Sequence, residues 1–297
     1  MGTTWSVRIV APPGRPPARQ AIEAALALVD RQMSNWRADS DIARFAAAAA
    51  GEWVALPEEA FTVVAEALAV AADSAGAYDP TVGPLVDLWG FGPGGTRVTA
   101  PDARAIAAAR ARTGWARIAL DRATRCLRQP GGVALDLSAI AKGFAVDLVS
   151  GRLADAGFAN HLVEIGGELK GEGVKPDGTP WFVALERPPG IENAVESVAV
   201  LHGLAVATSG DYRRFFEAGG SRYAHTIDPR SGRPAADPPA AVSVLHASCM
   251  TADALSTALT VLGVEAGMAF ARDRGIAALF VTRRGEHMTP ALAAMLD

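Results

Sequence analysis

Cysteine is scarce in this chain: there are two in 297 residues, Cys126 and Cys249. Neither belongs to a CxxC pair or to a spacing typical of a zinc site, so disulfide and metal–thiolate roles are disfavoured. Excess charge is also small, because the formal net charge is −4 and the arginines are scattered rather than clustered. Binding to a phosphate backbone normally requires a clustered excess of Lys and Arg. The sequence therefore predicts no nucleic-acid partner.

A long apolar run is missing as well. The chain begins MGTTWSVRIV, which contains neither the apolar region of a signal peptide nor a lipidation-type cysteine. We identify no apolar stretch of about 18 residues, the length that crosses a bilayer. We therefore expect no transmembrane segment and a cytoplasmic location for the sequence as it stands. If a leader is missing from the sequence, the expected location is periplasmic or anchored to the inner membrane.

The apolar content is sufficient for a large core, since 50% of the residues are hydrophobic and 20% are charged. Apolar residues at helical spacing predict helices over 18–33, 57–75, 101–111, 140–156 and 251–262. A long glycine-rich loop is expected over 76–95. Strands are predicted at 5–10 and in RIALD, TRCLRQ, VALDL, HLVEIGGELKGEGV, WFVALERP, ESVAVLHGLAVATSG, AVSVLHAS and GIAALFVTR. Because strands and helices do not alternate regularly, this order predicts an α+β fold.

The segment TADALSTAL, at 251–259, predicts a cation site. If it is helical, Asp253 and Thr257 lie four residues apart on one face, where a carboxylate and a hydroxyl can bind one hard cation such as Mg²⁺. The alternative is structural: Thr251 caps the helix and Asp253 complements its dipole. The segment by itself leaves both interpretations open.

The segment DLSAIAKGFAVD, at 136–147, predicts an anion site. Ser138 precedes an apolar periodic stretch and could cap a helix, whose first N–H groups would face a diphosphate together with Lys142. A capped surface helix with a solvated lysine is the alternative.

The segment 208–234 contains His225 in a loop rich in turn residues. A histidine with an ordinary pKa of about 6.5 can act as a general base near neutral pH, with a rate that rises as the imidazole loses its proton. Arg213, Arg214 and Arg222 could position a phosphate. A structural histidine and solvated arginines are the alternatives.

Trp36 and the segment AYDPTVG, at 77–83, suggest a site for a planar ring system. An aromatic side chain can stack on such a ring while Asp79 accepts a hydrogen bond from it. The alternative is that Trp36 is a buried core residue.

Together these segments resemble, in order and spacing, the ApbE family of FAD:protein FMN transferases, and the resemblance covers nearly the whole chain. It implies a single domain over 1–297, with an α+β fold whose two closely packed halves resemble the T-fold. The seven matching motifs are MGTTWSV, MSNWRADSDIARF, AYDPTVGPLVDLWGFGP, DLSAIAKGFAVD, VEIGGELKG, TSGDYRRFFEAGGSRYAHTIDPRSGRP and TADALSTALTVLG.

The resemblance also implies the residues of the site. Mg²⁺ would be held by the side chains of Asp253 and Thr257 and the backbone carbonyl of Ala139. The residues expected to contact FAD are Met1, Trp36, Ala77, Tyr78, Asp79, Asp136, Lys142, His225 and Ile227. Two positions depart from the family pattern, which often has Asn where Ala46 and Glu164 stand here. Neither is among the expected ligands, so the departures bear on the fine shape of the pocket.

The implied reaction is a Mg²⁺-dependent transfer of the FMN half of FAD to a Thr or Ser hydroxyl of a target flavoprotein subunit, with release of AMP. His225 would take the hydroxyl proton. A Mg²⁺-dependent FAD pyrophosphatase, which releases FMN and AMP, is an alternative that the sequence does not separate sharply. A non-catalytic FAD-binding protein is a second alternative, disfavoured because storage needs neither the base nor the metal residues.

Overall fold

A seven-stranded antiparallel sheet forms the centre of the protein, in the strand order β1-β5-β6-β9-β14-β15-β16. The structure is a computed structural model that describes residues 2–11, 14, 18–188, 197–212 and 214–295. The strands are β1 Trp5–Ile9, β2 Trp53–Ala55, β3 Ala119–Asp121, β4 Cys126–Arg128, β5 His161–Ile165, β6 Glu168–Glu172, β7 Trp181–Ala184, β8 Val198–Leu201, β9 Leu204–Gly210, β10 Phe215–Ala218, β11 Ser221–Ala224, β12 Ile227–Asp228, β13 Arg233–Pro234, β14 Ala241–His246, β15 Ala277–Thr282 and β16 Gly285–Met288.

Helices cover one face of this sheet. Helix α6 packs on β5 and β6, helix α7 packs on β9 and β14, and α1 and α3 lie behind them. The helices are α1 Arg19–Met33, α2 Asp41–Ala47, α3 Glu58–Asp73, α4 Gly83–Leu88, α5 Ala103–Arg110, α6 Ala141–Asp155, α7 Cys249–Asp273 and α8 Pro290–Ala293.

The central strands are buried on both faces. In β14, Val242 and Val244 join the core beneath the helices, whereas Ala241 and Leu245 join a second apolar cluster on the opposite face. Successive side chains of a strand point to opposite faces, so a strand covered on both sides requires an almost continuous apolar sequence. AVSVL meets that requirement, which explains why this strand was predictable.

A third apolar cluster surrounds Trp89, outside the main sheet. The Trp89 indole stacks obliquely near Tyr223 of β11, at a ring-centroid distance of 5.3 Å, and its Nε1–H donates to the carbonyl oxygen of Gly232 at 2.9 Å. These contacts fix α4 and the β10–β11 hairpin against each other. The hairpin in turn presents the loop that begins with His225.

The α+β prediction is confirmed, and most predicted elements lie within a few residues of their observed bounds. VALDL is an exception, because 133–137 form no strand. Val133, Leu135 and Leu137 are buried as a strand pattern requires. However, the Val133 N–H donates to the Gln129 side chain and the Asp136 N–H to the carbonyl of Pro80. The sequence therefore predicts the burial of this segment correctly, but it does not predict its hydrogen-bond partners.

The predicted loop over 76–95 is also wrong in part, since it contains helix α4 with Pro84 in its first turn, where the missing N–H costs nothing. Strand β16 and helix α8 follow the last predicted strand. Both predicted helix caps are wrong. Ile140 rather than Ser138 precedes α6, and the hydroxyl of Ser248, not of Thr251, accepts the capping bond of α7.

Helix α7 is the one described helix whose length and composition would allow it to cross a membrane, with a mean hydropathy of 1.5 over 18 residues. Half of that window is buried inside the protein. Gly263 also departs from helical geometry, with a φ of 76°, and divides the helix. A core helix passes the same test, so α7 is weak evidence for a membrane span.

Candidate active site

A cavity of about 370 Å³ lies where the first turn of α6, the N-terminal part of α7 and the loop after β11 meet. This volume is within the range of roughly 300–1,000 Å³ that small-molecule sites occupy. It brings together every described residue that the family resemblance implies for the site: Trp36, Ala77, Tyr78, Asp79, Asp136, Ala139, Lys142, His225, Ile227, Asp253 and Thr257. Met1 lies outside the described residues.

Asp253 and Thr257 line the same wall of the cavity, as the helical spacing predicted. Asp253 is only 3% exposed, and its Oδ2 accepts a hydrogen bond from the N–H of Gly143 at 3.0 Å. Its carboxylate therefore bonds the backbone of the first turn of α6. It lies beyond the first turn of its own helix, where an acidic residue would complement the dipole. The Thr257 hydroxyl lies 3.3 Å from the Ser209 hydroxyl. The structural interpretation of Asp253 as a complement to the dipole of α7 is thus wrong.

The donor chemistry at this wall fits Mg²⁺. Carboxylate and hydroxyl oxygens are hard ligands, and Ala139, whose carbonyl was predicted as the third ligand, lines the same cavity. No group of three or more His, Cys, Asp or Glu side chains within the described ranges is arranged to hold a metal alone. A cation here would therefore also need neutral oxygens and water, which is usual for Mg²⁺.

Lys142 lies between two buried carboxylates at the start of α6. Its Nζ donates to Oε1 of Glu168 and lies 3.7 Å from Oδ1 of Asp253. Burial raises the pKa of both carboxyl groups, an effect that the lysine charge opposes. For Lys142, burial acts to lower the pKa, but the two carboxylates outweigh it and the pKa is raised. The lysine is therefore a permanent positive charge at the cavity wall.

His225 is half-buried and lines the cavity directly after β11. Its Nδ1 lies 3.2 Å from the carbonyl oxygen of Arg214, and its ring meets the Phe91 ring edge-on. Because a carbonyl only accepts, Nδ1 carries the proton, which leaves the lone pair of Nε2 available to accept another.

The electrostatic environment of His225 differs from the sequence expectation. Burial, followed by the positive charge of Arg214, lowers the pKa of His225 to about 4. The expectation of an ordinary histidine pKa is therefore wrong in this structure. The imidazole is neutral at physiological pH, which is the form that accepts a proton.

The arginines near His225 have separate roles. Arg214 lines the cavity and donates from Nη2 to the carbonyl oxygen of Phe91 at 2.8 Å. Arg222 instead bonds the Asp211 carbonyl oxygen and stacks over Phe215 on the hairpin. Arg213 lies outside the described residues. Of the two described arginines, only Arg214 borders the cavity and is placed to contact an anion there.

Asp79 and Tyr78 form a buried wall. Oδ1 of Asp79 accepts from both the N–H and the hydroxyl of Thr81, at 2.7 and 2.6 Å, and Oδ2 accepts from the N–H of Trp115 at 3.3 Å. A carboxylate has about four acceptor positions, so one remains for a ligand. The Tyr78 hydroxyl is buried and has no hydrogen-bond partner among the described residues. A bound ring system can supply polar partners to both groups.

Trp36 is 64% exposed and lies at the edge of the cavity. The interpretation of Trp36 as a core residue is therefore wrong. Asp136 is buried nearby, and its Oδ1 accepts from the N–H of Ser138 at 2.9 Å, which shapes the turn that leads into α6.

Several cavity residues were missed at the sequence level. Val86 lies on α4 and Val82 directly precedes it, where a loop was expected, so their spacing of four residues was the available signal. Glu168 belongs to the VEIGGELKG motif, but no role was inferred for it. The remaining lining residues are Thr3, Asn35, Phe91, Gly92, Ser138, Gly166, Thr208, Ser209, Gly210, Arg214, Thr226 and Pro229, of which Ser138 and Arg214 were candidates from the sequence.

Comparison with known proteins identifies the family of this chain. A family model described as the ApbE family matches residues 1–280. The curated FAD:protein FMN transferase of Vibrio cholerae serotype O1 is 41% identical over 286 residues, which covers 95% of this chain and 85% of that protein.

Solved structures give the same result. The apo crystal structure of the Pseudomonas stutzeri flavinyl transferase ApbE superposes with a TM-score of 0.91 at 44% identity, covering 99% of this chain and 93% of that one. The crystal structure of the ApbE protein from Thermotoga maritima has a TM-score of 0.85 at 31% identity and covers 98% of both chains. The chain therefore belongs to the ApbE family.

Proposed function

We propose that this protein transfers the FMN half of FAD to a Thr or Ser hydroxyl of a target flavoprotein and releases AMP, in a Mg²⁺-dependent reaction. One observation carries the proposal: a single cavity is bordered on one side by the oxygen ligands of Asp253 and Thr257 and on another by the free imidazole lone pair of His225. The names of the relatives support the same activity.

The cation ligands of this chain are Asp253, Thr257 and the carbonyl of Ala139. Bound there, Mg²⁺ would neutralise the negative charge that develops on the diphosphate as AMP leaves. Lys142 adds a fixed positive charge beside these ligands. The protein thereby concentrates positive charge where a diphosphate has to bind.

His225 supplies the base. Its Nε2 takes the proton from the acceptor hydroxyl as the oxygen forms a bond to the phosphorus of the FMN half. The bond between that phosphorus and the bridging oxygen of the diphosphate breaks, and AMP departs with the bridging oxygen. Arg214 holds the imidazole through its carbonyl, so the histidine is oriented before substrate binds. Most of the remaining work is positioning, as is general for phosphoryl-type transfer.

The proposal is tested by incubating the protein with FAD, Mg²⁺ and candidate flavoprotein subunits. Flavin fluorescence that stays with a denatured subunit supports transfer. Free FMN and AMP without a modified subunit would favour the pyrophosphatase, and intact FAD would favour the carrier.

Trp36→Ala is expected to weaken FAD binding by about tenfold, because stacking contributes roughly 0.5–1.5 kcal/mol beyond buried area. The measurement is a titration of flavin fluorescence without acceptor protein. Trp53→Ala is the matched control, because Trp53 is also exposed but lies on β2 outside the cavity. Equal affinities of the parent and Trp36→Ala would contradict stacking.

The pH profile is expected to show no histidine titration in the ordinary range. Only the neutral imidazole accepts a proton, and the pKa of His225 is lowered to about 4. Burial raises the pKa of Glu168, in the same cavity, to about 7, so the profile is recorded in Glu168→Gln, which removes that titration. In this variant kcat/KM, which reports the free enzyme, should stay level from about pH 8 to pH 5 and fall below that. A bound diphosphate favours the charged imidazole, so kcat should fall at a higher pH than kcat/KM does. An inflection of kcat/KM near the ordinary histidine pKa in this variant would contradict this environment.

A further inference from the structure

Glu168 is a buried carboxylate in the cavity wall to which neither the reaction nor the metal site assigns a role. It begins β6 directly after the Gly166-Gly167 turn and pairs with Ile165 in the hairpin register. The residue is 2% exposed, yet it borders the cavity. Burying a carboxylate this deeply is unfavourable unless a charge compensates it.

The compensation comes from Lys142 alone among the described residues. Oε1 of Glu168 accepts from Nζ of Lys142, while Oε2 is buried without a hydrogen-bond partner in the described ranges. The lysine stem runs past Gly166, where an added Cβ would lie 3.3 Å from Cδ of Lys142 and 2.9 Å from the Thr3 hydroxyl. The glycine turn and the glutamate thus set the path of the lysine together.

The alternative partner of Lys142 is Asp253. Its Oδ1 lies 3.7 Å from Nζ, beyond a normal hydrogen bond, and its Oδ2 is already bonded to Gly143. Without Glu168, the ammonium would be drawn to Oδ1 of Asp253. The ammonium would then bind a carboxylate oxygen that the cation needs. It would also no longer lie in the space where the FAD diphosphate binds.

We propose that Glu168 is a positioning residue for FAD: it holds the Lys142 ammonium toward the diphosphate space of the cavity and away from Asp253. The inference rests on the proposed function, since it takes FAD as the ligand of Lys142. Glu168 acts through Lys142 and touches no reacting atom.

The test depends on whether FAD affinity rises or falls when the charge of Glu168 is removed. Glu168→Gln removes a negative charge from the wall, which by Coulomb attraction alone would tighten the binding of anionic FAD. Positioning predicts the opposite: the Gln amide oxygen can still accept from Lys142, but without its charge it holds the ammonium less strongly against the pull of Asp253, so FAD affinity falls by at least about tenfold. FAD binding is measured by calorimetry at a fixed, saturating Mg²⁺ concentration. In a Lys142→Met background, Glu168→Gln should no longer weaken binding.

Two further variants complete the design. Glu172→Gln makes the same charge change at the other end of β6, outside the cavity, and should leave FAD affinity unchanged. Glu168→Asp keeps the charge on a shorter side chain and should retain more affinity than Glu168→Gln. If thermal denaturation shows that the Gln variant does not fold, Glu168→Asp is compared with the parent in the presence and absence of Lys142: a loss of FAD affinity that requires Lys142 supports the inference, and an equal loss in both backgrounds overturns it.

The outcomes are distinguishable. An unchanged or tighter FAD affinity in Glu168→Gln overturns the inference, as does an equal weakening with and without Lys142, which would mean that Glu168 contacts FAD itself. Either result leaves the proposed function in place if the parent still transfers FMN. A parent protein that binds no FAD overturns both.

Discussion

His225→Ala is expected to lower the rate of FMN transfer by at least about a hundredfold, the lower end of what general-base assistance contributes. FAD and Mg²⁺ should still bind with nearly the parental affinity, because the cation ligands and Trp36 lie elsewhere in the cavity. The measurement is a single-turnover rate of acceptor modification at saturating FAD, accompanied by a direct FAD titration. Separate readings of rate and affinity distinguish a lost base from a lost binding contact.

His287→Ala is the matched control, since His287 is exposed on the edge strand β16 and does not border the cavity. It should transfer FMN at the parental rate. If His225→Ala also transfers at the parental rate, His225 is structural and another group is the base. Asp228 is a poor substitute, because both of its carboxylate oxygens bond the Arg230 side chain and it does not line the cavity.

Asp253→Ala is expected to abolish Mg²⁺-dependent turnover, a loss of about a thousandfold or more. A bound cation contributes several kcal/mol of charge stabilisation, and tenfold in rate corresponds to about 1.4 kcal/mol. The alanine variant also leaves the Gly143 N–H without its partner, at a cost of about 1–3 kcal/mol in the free energy of unfolding. The protein should nevertheless stay folded, which thermal denaturation checks.

Asp253→Asn separates the two effects, because the amide oxygen can still accept from Gly143 while the charge is lost. It should have a higher free energy of unfolding than the alanine variant and be equally inactive. A direct titration with Mn²⁺ in place of Mg²⁺ should show weakened cation binding. Asp273→Asn, exposed near the end of the same helix, is the matched control and should behave as the parent. Full activity of Asp253→Asn with Mg²⁺ would remove Asp253 from the cation site.

The sequence was informative where one physical requirement dominates. The apolar continuity of AVSVL predicts a strand buried on both faces, and the spacing of Asp253 and Thr257 predicts a shared helix face. The sequence was less informative where hydrogen-bond partners come from distant segments. The segment 133–137 has the burial of a strand, yet the carbonyl of Pro80 accepts the N–H of Asp136.

The same distinction applies to the site, where the identities of the residues were predictable but their environments were not. Residue types and their order within motifs indicate which side chains gather, and every described residue that the family resemblance implies lines the cavity, whereas the further candidate Arg222 does not. Their environments depend on three-dimensional packing that motifs do not encode. The low pKa of His225 requires knowledge of its burial and of the Arg214 charge beside it. Glu168 was missed for a similar reason, because its importance comes from Lys142, a neighbour 26 positions away.

The proposed transfer of FMN from FAD to a hydroxyl of another protein leaves two products in a fixed ratio. The most direct measurement follows both products of one incubation with FAD, Mg²⁺ and a flavoprotein subunit: AMP in solution, and the mass of the intact subunit. We expect one AMP for each FMN attached, and no attachment to a subunit whose acceptor Thr or Ser is replaced by Ala. AMP released together with free FMN and an unmodified subunit would contradict the transfer.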